Sequence, residues 1–377
     1  MIRTWLVFTV AALIPQPART PATVTVAETA GIARPAETVV LTAAQVKEAL
    51  AVEDLRTVRV KDDKTSADLL TQTVDTNDDG TFDELLFQAD LEANETRRFT
   101  LSVGERRIAS KDEYRAYGRF IRERRDDFAW ENDLVAHRMY GAALETWAQE
   151  PLTSSGLDVW VKRTHRLVIN DWYMVDDYHR DTGEGADLYS VGRTRGCGGS
   201  GLWLDGRLYV ANNFRHSRVL ANGPLRVMFE LSYEPYAAGG AMVREQRLIT
   251  LDAGHHFNRV GITYQDAPSG AANAAGIRNN PGSSSRAAAD AGTLRSWEPL
   301  KAAGNLGCAV ILPALKETRE ADGNYLAIAA PGSHVYYAGS AWDRGGDIAT
   351  LADWDTYVAR EAARIRTPVV VRVTRIP

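Results

Sequence analysis

Apolar and polar residues alternate along much of the chain, and this alternation predicts β-strands. Residues 55–60 and 70–74 place apolar side chains at every second position, and 82–91 and 99–103 continue the pattern, as expected of strands with one buried face. We expect these four segments to form a small antiparallel sheet that ends near residue 104. Gly, Pro and Asn separate the later strand candidates, which are 159–161, 208–210, 225–233, 243–251, 257–264, 309–312, 325–329 and 369–373. So many short strands predict an all-β fold, either a sandwich or a barrel.

One segment near the C-terminus has a helical period instead. Between Thr350 and Arg366 the apolar residues fall on one face, Thr350 and Asp353 resemble a capping box, and Pro368 follows. Residues 23–38 are rich in Pro, Ala and Thr and predict a flexible lead-in. The Gly- and Ala-rich stretch 266–304 predicts a long loop or insertion. We therefore expect a single β-domain over 39–377, with 39–104 as a candidate N-terminal β-subdomain.

The first 22 residues have the pattern of a secretory signal peptide. A positive start at Arg3 precedes an uncharged, mostly apolar run over 5–14, and small residues then offer cleavage after Ala18 or Ala22. The apolar run is about half of the ~20 residues that a membrane-spanning helix needs. We therefore expect a cleaved signal peptide, a secreted or periplasmic protein and no stable membrane insertion.

Composition excludes some partners. The chain has 44 Lys and Arg against 49 Asp and Glu, a formal net charge of -5, so it lacks the strong basic field that nucleic-acid binding needs. Two cysteines, Cys197 and Cys308, are too few for a disulfide scaffold or a four-thiolate zinc site. In an exported protein they could form one disulfide, and the sequence alone does not decide whether they meet. The nine Trp and fourteen Tyr suit β-structure with aromatic surfaces.

A polar loop between two predicted strands has part of a calcium-binding pattern. Oxygen-bearing side chains alternate along it, and Gly80 stands where such a loop turns sharply; the candidate ligands are Asp75, Asn77, Asp79 and Asp83. Leu86 occupies the position of the closing bidentate Glu. Asp-Asp-Gly between two alternating segments is also a strong hairpin signal. The hairpin is the favoured interpretation and a structural Ca²⁺ is the alternative; no other cofactor is expected.

Residues 126–133 and 137–141 form the first cluster of candidate binding residues. Aromatic, amide, carboxylate, imidazole and guanidinium groups stand together there, a mixture that is costly to bury. An indole suits the apolar face of a sugar ring, and forked polar groups suit its hydroxyls. A salt-bridged crossing between sheets is the structural alternative. The candidates are Trp130, Glu131, Asn132, Asp133, His137, Arg138 and Tyr140.

Residues 176–199 form the second cluster, with Trp203 just beyond it. Glycines bracket acidic, basic and guanidinium side chains here, which suits a site on loops better than a core. His179 can exchange a proton near neutral pH, and Tyr178 and Glu184 are plausible partners for it. Arg193, Arg195 and Trp203 are candidate sugar-binding residues. His165, His216 and His334 have no signature around them, and of His255 and His256 at most one is expected to enter a shared site, because neighbouring strand residues point to opposite faces.

Five stretches of this chain resemble a family known as domain of unknown function forty-eight sixty-one (DUF4861). They lie at 126–133, 138–141, 178–187, 196–199 and 336–342, and the block from Tyr-His to Gly-Gly is specific. The resemblance implies a galactose-mutarotase-like β-supersandwich. It also implies a secreted bacterial protein encoded near enzymes that degrade pectin and uronates. It further implies that Cys197 belongs to the motif and that Cys308 is incidental, which argues against a disulfide.

Together these features predict a carbohydrate-active enzyme that acts on uronate-containing, pectin-like glycans. For β-elimination, His179 and Tyr178 would be base and acid, and Arg138, Arg193 or Arg195 would hold the substrate carboxylate. For hydrolysis, Glu131 and Glu184 form the best available pair. A mutarotase could use His179 with Glu184, and a non-catalytic glycan-binding protein would use the same residues only to hold the sugar. All four hypotheses require the two clusters to meet in one site.

Overall fold

The first strands of the chain form a unit with its own core. The computed structural model describes residues 20–149, 151–175 and 177–376, so 1–19 of the predicted signal peptide lie outside the described residues. The elements of this unit are β1 (Ala22–Ala27), β2 (Arg34–Thr42), α1 (Ala43–Leu50), β3 (Val58–Asp62), β4 (Asp68–Leu69), β5 (Thr71–Val74), β6 (Glu84–Leu91) and β7 (Thr96–Val103). The stretch 23–38, predicted as a flexible lead-in, therefore holds β1 and the start of β2. The prediction of a flexible segment was wrong, because Val24 and Val26 are fully buried in β1, and the hydrophobic stabilisation from their burial holds the segment in the sheet despite the surrounding Pro, Ala and Thr.

The remaining elements follow in chain order. They are β8 (Ala116–Ile121), β9 (Asp127–Asn132), β10 (Ala136–Met139), β11 (Asp158–Lys162), α2 (Ile169–Val175), β12 (Gly185–Ala186), β13 (Cys197–Leu204), β14 (Arg207–Tyr209), β15 (Phe214–Asn222), β16 (Arg226–Tyr233), β17 (Tyr236–Ala238), β18 (Ala241–Asp252), β19 (Phe257–Gln265), β20 (Ala272–Arg278), β21 (Ser284–Ala288), β22 (Thr293–Pro299), β23 (Asn305–Ile311), β24 (Leu315–Ala321), β25 (Asn324–Ala329), β26 (Val335–Trp342), α3 (Leu351–Arg366) and β27 (Val370–Arg375). In the described part of the chain, no helix is long and apolar enough to cross a membrane.

The sheets are antiparallel and form two packing units. In the first unit, the sheet β27-β1-β7-β3-β4 shares a core with β2-β6-β5, and the C-terminal strand β27 returns to pair with β1. In the second, a nine-stranded sheet around β18, β19 and β26 shares one core with the sheets β12-β11-β10-β9-β8 and β14-β13-β20-β25-β24. The prediction of an all-β supersandwich built from large antiparallel sheets with few helices is confirmed.

Two segments show how well local patterns predicted the elements. The helix α3 is confirmed with its capping box, in which Thr350 Oγ1 accepts from the N–H of Asp353, and its apolar face covers the outer side of β22 and β23. The Gly- and Ala-rich stretch 266–304 was predicted as a loop but holds β20, β21 and β22. Its small residues fit there because β20 lies between β13 and β25 in the interior of a sheet, where Ala274 and Ala275 are fully buried.

The two cysteines form a disulfide, which corrects the implication drawn from the family resemblance. Cys197 on β13 and Cys308 on β23 both point into the main core and are fully buried, with their Cα atoms 5.3 Å apart. Because β13 and β23 belong to different sheets, the bond joins the two layers of the sandwich. The sequence could not pair them, since they are separated by 111 residues.

Candidate functional site

A groove of about 850 Å³ lies beside β8, the β9–β10 turn and the start of α2. Its volume is in the range of sites that hold small ligands. It is lined by Lys111, Asp112, Tyr114, Arg115, Tyr117, Asp133, His165, Arg166, Leu167, Asn170, Asp171 and Asn222. Two phenol rings, two amides and several cations are the groups expected where a protein holds an acidic sugar.

The basic groups of the groove differ in how far the protein neutralises them. Arg166 is paired with Asp171 and also with Glu184, whose Oε1 lies 3.0 Å from its Nε. Arg115 instead donates from Nη2 to the amide oxygen of Gln88 at 3.1 Å. Over the ranges that the structure describes, no carboxylate lies within ion-pair distance of Arg115. Arg115 therefore carries a positive charge that a ligand carboxylate could neutralise.

His165 is the groove residue best placed to accept a proton. Its side chain is exposed, and Nδ1 lies 3.1 Å from the backbone carbonyl of Asp133. A carbonyl oxygen only accepts, so Nδ1 must carry the hydrogen and the neutral ring presents its lone pair at Nε2. The turn that supplies this carbonyl is fixed, because the Asp133 carboxylate accepts from the N–H of Gly254 at 2.7 Å.

At Asp133 and His165 the groove adjoins a narrow cleft of about 20 Å³, which has room for one water molecule. His256 lies in it with both ring nitrogens engaged: Nδ1 is 2.8 Å from the carbonyl of Ser340, and Nε2 is 2.7 Å from Asp347 Oδ2. Burial is the largest influence on the pKa of Asp347 and acts to raise it, but the hydrogen bond and the charge of His256, together with smaller contributions, hold that pKa below its ordinary value. His256 thus serves to tie β26 to the loop after it, and neither nitrogen is available as a base.

The two clusters predicted from the sequence meet at a second place, under α2 and the segment 177–187. Arg138 Nη2 lies 2.7 Å from Asp187 Oδ2, and Arg138 Nε lies 2.6 Å from Asp158 Oδ2. Asp127 Oδ2 is 3.7 Å from the same guanidinium. We call Arg138 and these three aspartates the carboxylate cluster. Burial raises the pKa of Asp127 to about 7 and that of Asp187 well above its ordinary value, against the opposing field of Arg138.

Most of the predicted site residues around the carboxylate cluster are buried and inaccessible to a substrate. Arg138 is buried and committed to its carboxylates, and Tyr140 is buried with its hydroxyl donating to Asp158 Oδ2 at 2.6 Å. Tyr178 stacks on Trp160 with ring centroids 5.1 Å apart, and burial raises its pKa to about 12. His179 is the accessible member: its side chain is 56% exposed, and Nδ1 is 3.3 Å from Asp187 Oδ2.

Other residues of the first predicted cluster belong to the core or to fixed turns. Trp130 is fully buried against Phe229, and its Nε1 donates to Asn258 Oδ1 at 2.7 Å. His137 is buried beside the same asparagine, and burial lowers its pKa to about 3. The amide of Asn132 is also buried, and it donates to the carbonyls of Asp252 and His255. Their assignment to a sugar site is corrected: β9 and β10 are interior strands with both faces covered.

Glu131 has a structural role in place of the predicted catalytic one. Its carboxylate is fully buried, lies 2.8 Å from Lys162 Nζ, and accepts the N–H groups of Val168 and Ile169 where α2 begins. Glu184 is accessible but paired with Arg166, whose hydrogen bond lowers the pKa of Glu184. The proposed hydrolytic pair is therefore contradicted, since one carboxylate cannot reach a substrate.

The remaining predicted residues lie apart from the groove. Arg193 is exposed on a turn before β13, and Trp203 is half-buried against the outer side of β20 and β25. Arg195 is buried between the sheets, where its Nη1 donates to Ser155 Oγ at 3.0 Å. Its predicted contact with a sugar is corrected, because a ligand outside the sandwich cannot reach it.

The candidate calcium loop is the hairpin between β5 and β6. Its side chains cap backbone N–H groups: Asp75 accepts from Asp78 and Gly80, Asn77 accepts from Asp79, and Asp83 accepts from Thr76. Within the described residues, no three His, Cys, Asp or Glu side chains are grouped as ligands for a metal. The hairpin explains the observed contacts, and calcium stays an untested prediction.

The sequence interpretation missed the basic segment 162–166, which joins β11 to α2. It reads Lys-Arg-Thr-His-Arg, four basic or titratable residues in five. Arg163 contacts Asp181 and lies over the indole of Trp342, 4.6 Å from the ring centroid, and the two residues of the segment that line the groove are His165 and Arg166. The signal was present as a dense basic run directly after a buried strand.

Most of this chain matches a family model and a curated protein. The profile of a family described as Domain of unknown function (DUF4861) matches residues 26–371. A curated protein, "Uncharacterized protein P7" of Formosa agariphila, is 32% identical over 335 residues, which cover 83% of this chain and 84% of that protein.

Two solved structures from Enterococcus faecalis share the fold. One is a protein in the Glycosyl Hydrolase Family 38, with a TM-score of 0.50 and 11% identity over 94% of this chain. The other is an α-mannosidase, with a TM-score of 0.52 and 11% identity over 95% of this chain. This chain spans about half, 47%, of each of those chains. At that identity the likeness concerns the fold alone.

Proposed function

The chain belongs to the family described as Domain of unknown function (DUF4861), and from its groove we propose that it is an exported carbohydrate-active enzyme that cleaves acidic, uronate-containing glycans by β-elimination. The observation that carries this proposal is the uncompensated guanidinium of Arg115 in a groove that also presents His165 and two phenols. Elimination beside a carboxylate needs a cation for that carboxylate, a base and a proton donor.

The residues of the groove fill these roles as follows. Arg115 holds the uronate carboxylate and stabilises the negative charge that develops when the neighbouring C–H bond breaks. His165 Nε2 takes that proton while the Asp133 carbonyl keeps Nδ1–H in place. The C–O bond at the next carbon then breaks, a C=C bond forms, and a phenol, Tyr114 or Tyr117, protonates the departing oxygen. The products are an unsaturated uronide and a new sugar hydroxyl.

The alternatives fit the geometry less well. Hydrolysis through Glu131 and Glu184 fails because Glu131 is sealed in an ion pair with Lys162. A mutarotase at His179 and Glu184 would need Glu184 to leave Arg166. His179, held by Asp187, remains the second candidate for the base, and it does not line the groove.

Two further observations support the proposal. The structures that share the fold include a protein in the Glycosyl Hydrolase Family 38 and an α-mannosidase, so this architecture occurs among carbohydrate-active proteins. Export is supported by the signal-peptide pattern and by the Cys197–Cys308 disulfide, because such bonds persist in oxidising compartments.

Turnover of acidic oligosaccharides tests the proposal. Pectic, rhamnogalacturonan and alginate oligosaccharides are incubated with the protein while the ultraviolet absorbance of unsaturated products and the number of reducing ends are followed. We expect both to rise, and His165→Gln to abolish the rise. His216→Gln, an exposed histidine on the edge strand β15, is the matched control and should keep full activity.

The same assay separates the competing proposals. Loss of turnover in His179→Gln with full activity in His165→Gln would indicate that His179, beside the carboxylate cluster, is the base. Reducing ends without unsaturated products would indicate hydrolysis. Binding of these glycans without any turnover would make the chain a glycan-binding protein.

A further inference from the structure

A second group of buried charges lies inside the sandwich, away from the groove. Arg195 precedes β13, while Glu245 and Arg247 are on β18, and all three side chains are buried between the sheets. Four tyrosines lie close enough to interact electrostatically with these charges: Tyr233, Tyr236, Tyr264 and Tyr336. We call this set the arginine cluster.

The arginine cluster does not balance its charge. Arg247 Nε lies 2.7 Å from Glu245 Oε1, and that carboxylate also accepts from Tyr236 and Ser200. Arg195 donates only to neutral oxygens, namely Ser155 Oγ at 3.0 Å and the carbonyl of Ser200 at 3.1 Å. For the residues that the structure covers, no carboxylate lies within ion-pair distance of Arg195. Two guanidinium groups thus face one carboxylate, and a buried charge without a counter-charge destabilises the fold.

Two hydrogen-bond donors of the arginine cluster also lack partners. Arg247 Nη2 and the hydroxyl of Tyr264 are buried, and neither has a hydrogen-bond partner in the described structure. Buried donors are normally paired, because a donor that loses its hydration without gaining a partner destabilises the fold. Burial and the nearby Arg247 lower the pKa of Arg195 to about 10, so Arg195 remains a cation at neutral pH.

We propose that the arginine cluster binds one small monovalent anion, with chloride as the physiological ion. Such an anion supplies the missing negative charge and accepts from the unpaired donors of Arg247 and Tyr264. Ionised tyrosine cannot supply the charge instead, because burial raises the pKa of Tyr233 and Tyr264 far above neutrality. The bound ion would couple β13 to β18 across the sandwich and stabilise the fold without taking part in catalysis.

Thermal unfolding in chloride tests this inference. The full-length mature protein is dialysed into sodium gluconate, and chloride replaces gluconate at constant ionic strength. We expect Tm to rise with chloride and to reach a shift of about 3 °C when chloride is 100 times its Kd. Arg195→Met keeps the apolar stem but removes the charge, so its Tm should not respond to chloride. Arg244→Met is the control: it removes an exposed charge from β18, the strand that carries Glu245 and Arg247, and should keep the wild-type response.

Bromide keeps the inference testable if Arg195→Met does not fold. Crystals of the wild-type protein soaked in bromide should give an anomalous peak between the guanidinium groups of Arg195 and Arg247. Equal chloride responses in wild type and Arg195→Met would overturn the proposal, and so would wild-type crystals without that peak.

Discussion

Removing the Cys197–Cys308 bond should destabilise the protein more than any surface substitution. The bond closes a separation of 111 residues, and for a loop of that length the chain-entropy relation gives about 5 kcal/mol of stabilisation at 25 °C. Removal of a native disulfide typically lowers the free energy of unfolding by ~2–5 kcal/mol. Since this bond joins two sheets through a fully buried core, we expect a loss of about 3–5 kcal/mol in the free energy of unfolding.

Equilibrium unfolding in guanidinium chloride measures this loss. Wild type, wild type kept reduced, and the double variant Cys197→Ala/Cys308→Ala are compared under identical conditions. The reduced wild type isolates the cross-link, and the double variant adds the effect of the lost sulfur atoms on packing. A difference below about 1 kcal/mol between oxidised and reduced wild type would refute the reasoning, because the cross-link would then not restrict the unfolded chain.

Three further predictions follow from the described contacts. Lys162→Met should cost about 3–5 kcal/mol of stability, because it leaves the Glu131 carboxylate buried without its cation; Lys162→Met/Glu131→Gln should recover much of that loss in the same unfolding assay. Burial raises the pKa of Asp127 to about 7 in the folded protein, from an ordinary 3.8. Between about pH 4 and pH 7 the folded state therefore binds more protons than the unfolded state, and the free energy of unfolding falls as pH rises through this range. Asp127→Asn should flatten that part of the curve of unfolding free energy against pH, and an unchanged slope would contradict it. Ala22 is the first residue of β1 and pairs with Leu101 of β7, so cleavage after Ala22 would remove part of the sheet. We therefore expect mass spectrometry of the exported protein to show cleavage after Ala18, with Arg19 as the first residue; a mature chain beginning at Thr23 would contradict this.

The fold was predictable because strands and helix α3 depend on local patterns. The alternation of 55–60 predicted β3, although the strand begins only at Val58, after a 3₁₀ turn over 55–57. The capping box at Thr350 marked the start of α3. The site was less predictable, because polar side chains look alike in sequence whether they are exposed or paired in the interior. Arg138 and Glu131 carry the groups expected of a sugar site, yet each is buried against an opposite charge from another strand, Asp158 and Lys162 of β11.

Which polar residues can contact a ligand therefore depends on their exposure to solvent, and exposure depends on contacts between segments that are distant in the sequence. Arg115 was overlooked because the sequence does not show what separates it from Arg138: Arg115 is only half-buried and has no carboxylate at ion-pair distance among the described residues, whereas Arg138 is buried against Asp158. Likewise His165 has no motif around it, and its base-like geometry comes from the Asp133 carbonyl 32 residues away. The disulfide is a further case, since only the packing of two sheets brings Cys197 and Cys308 together.

Calorimetric binding of an acidic oligosaccharide to the full-length mature protein tests the central claim most directly. A non-cleavable analogue of trigalacturonate is titrated into wild type, Arg115→Leu and Arg180→Leu; Arg180 is an exposed arginine beside His179, outside the groove. Loss of one charge-assisted contact of about 1.5–3 kcal/mol predicts roughly 10- to 100-fold weaker binding for Arg115→Leu. Arg180→Leu should bind like wild type. Unchanged affinity in Arg115→Leu together with weakened binding in Arg180→Leu would contradict the groove as the glycan site.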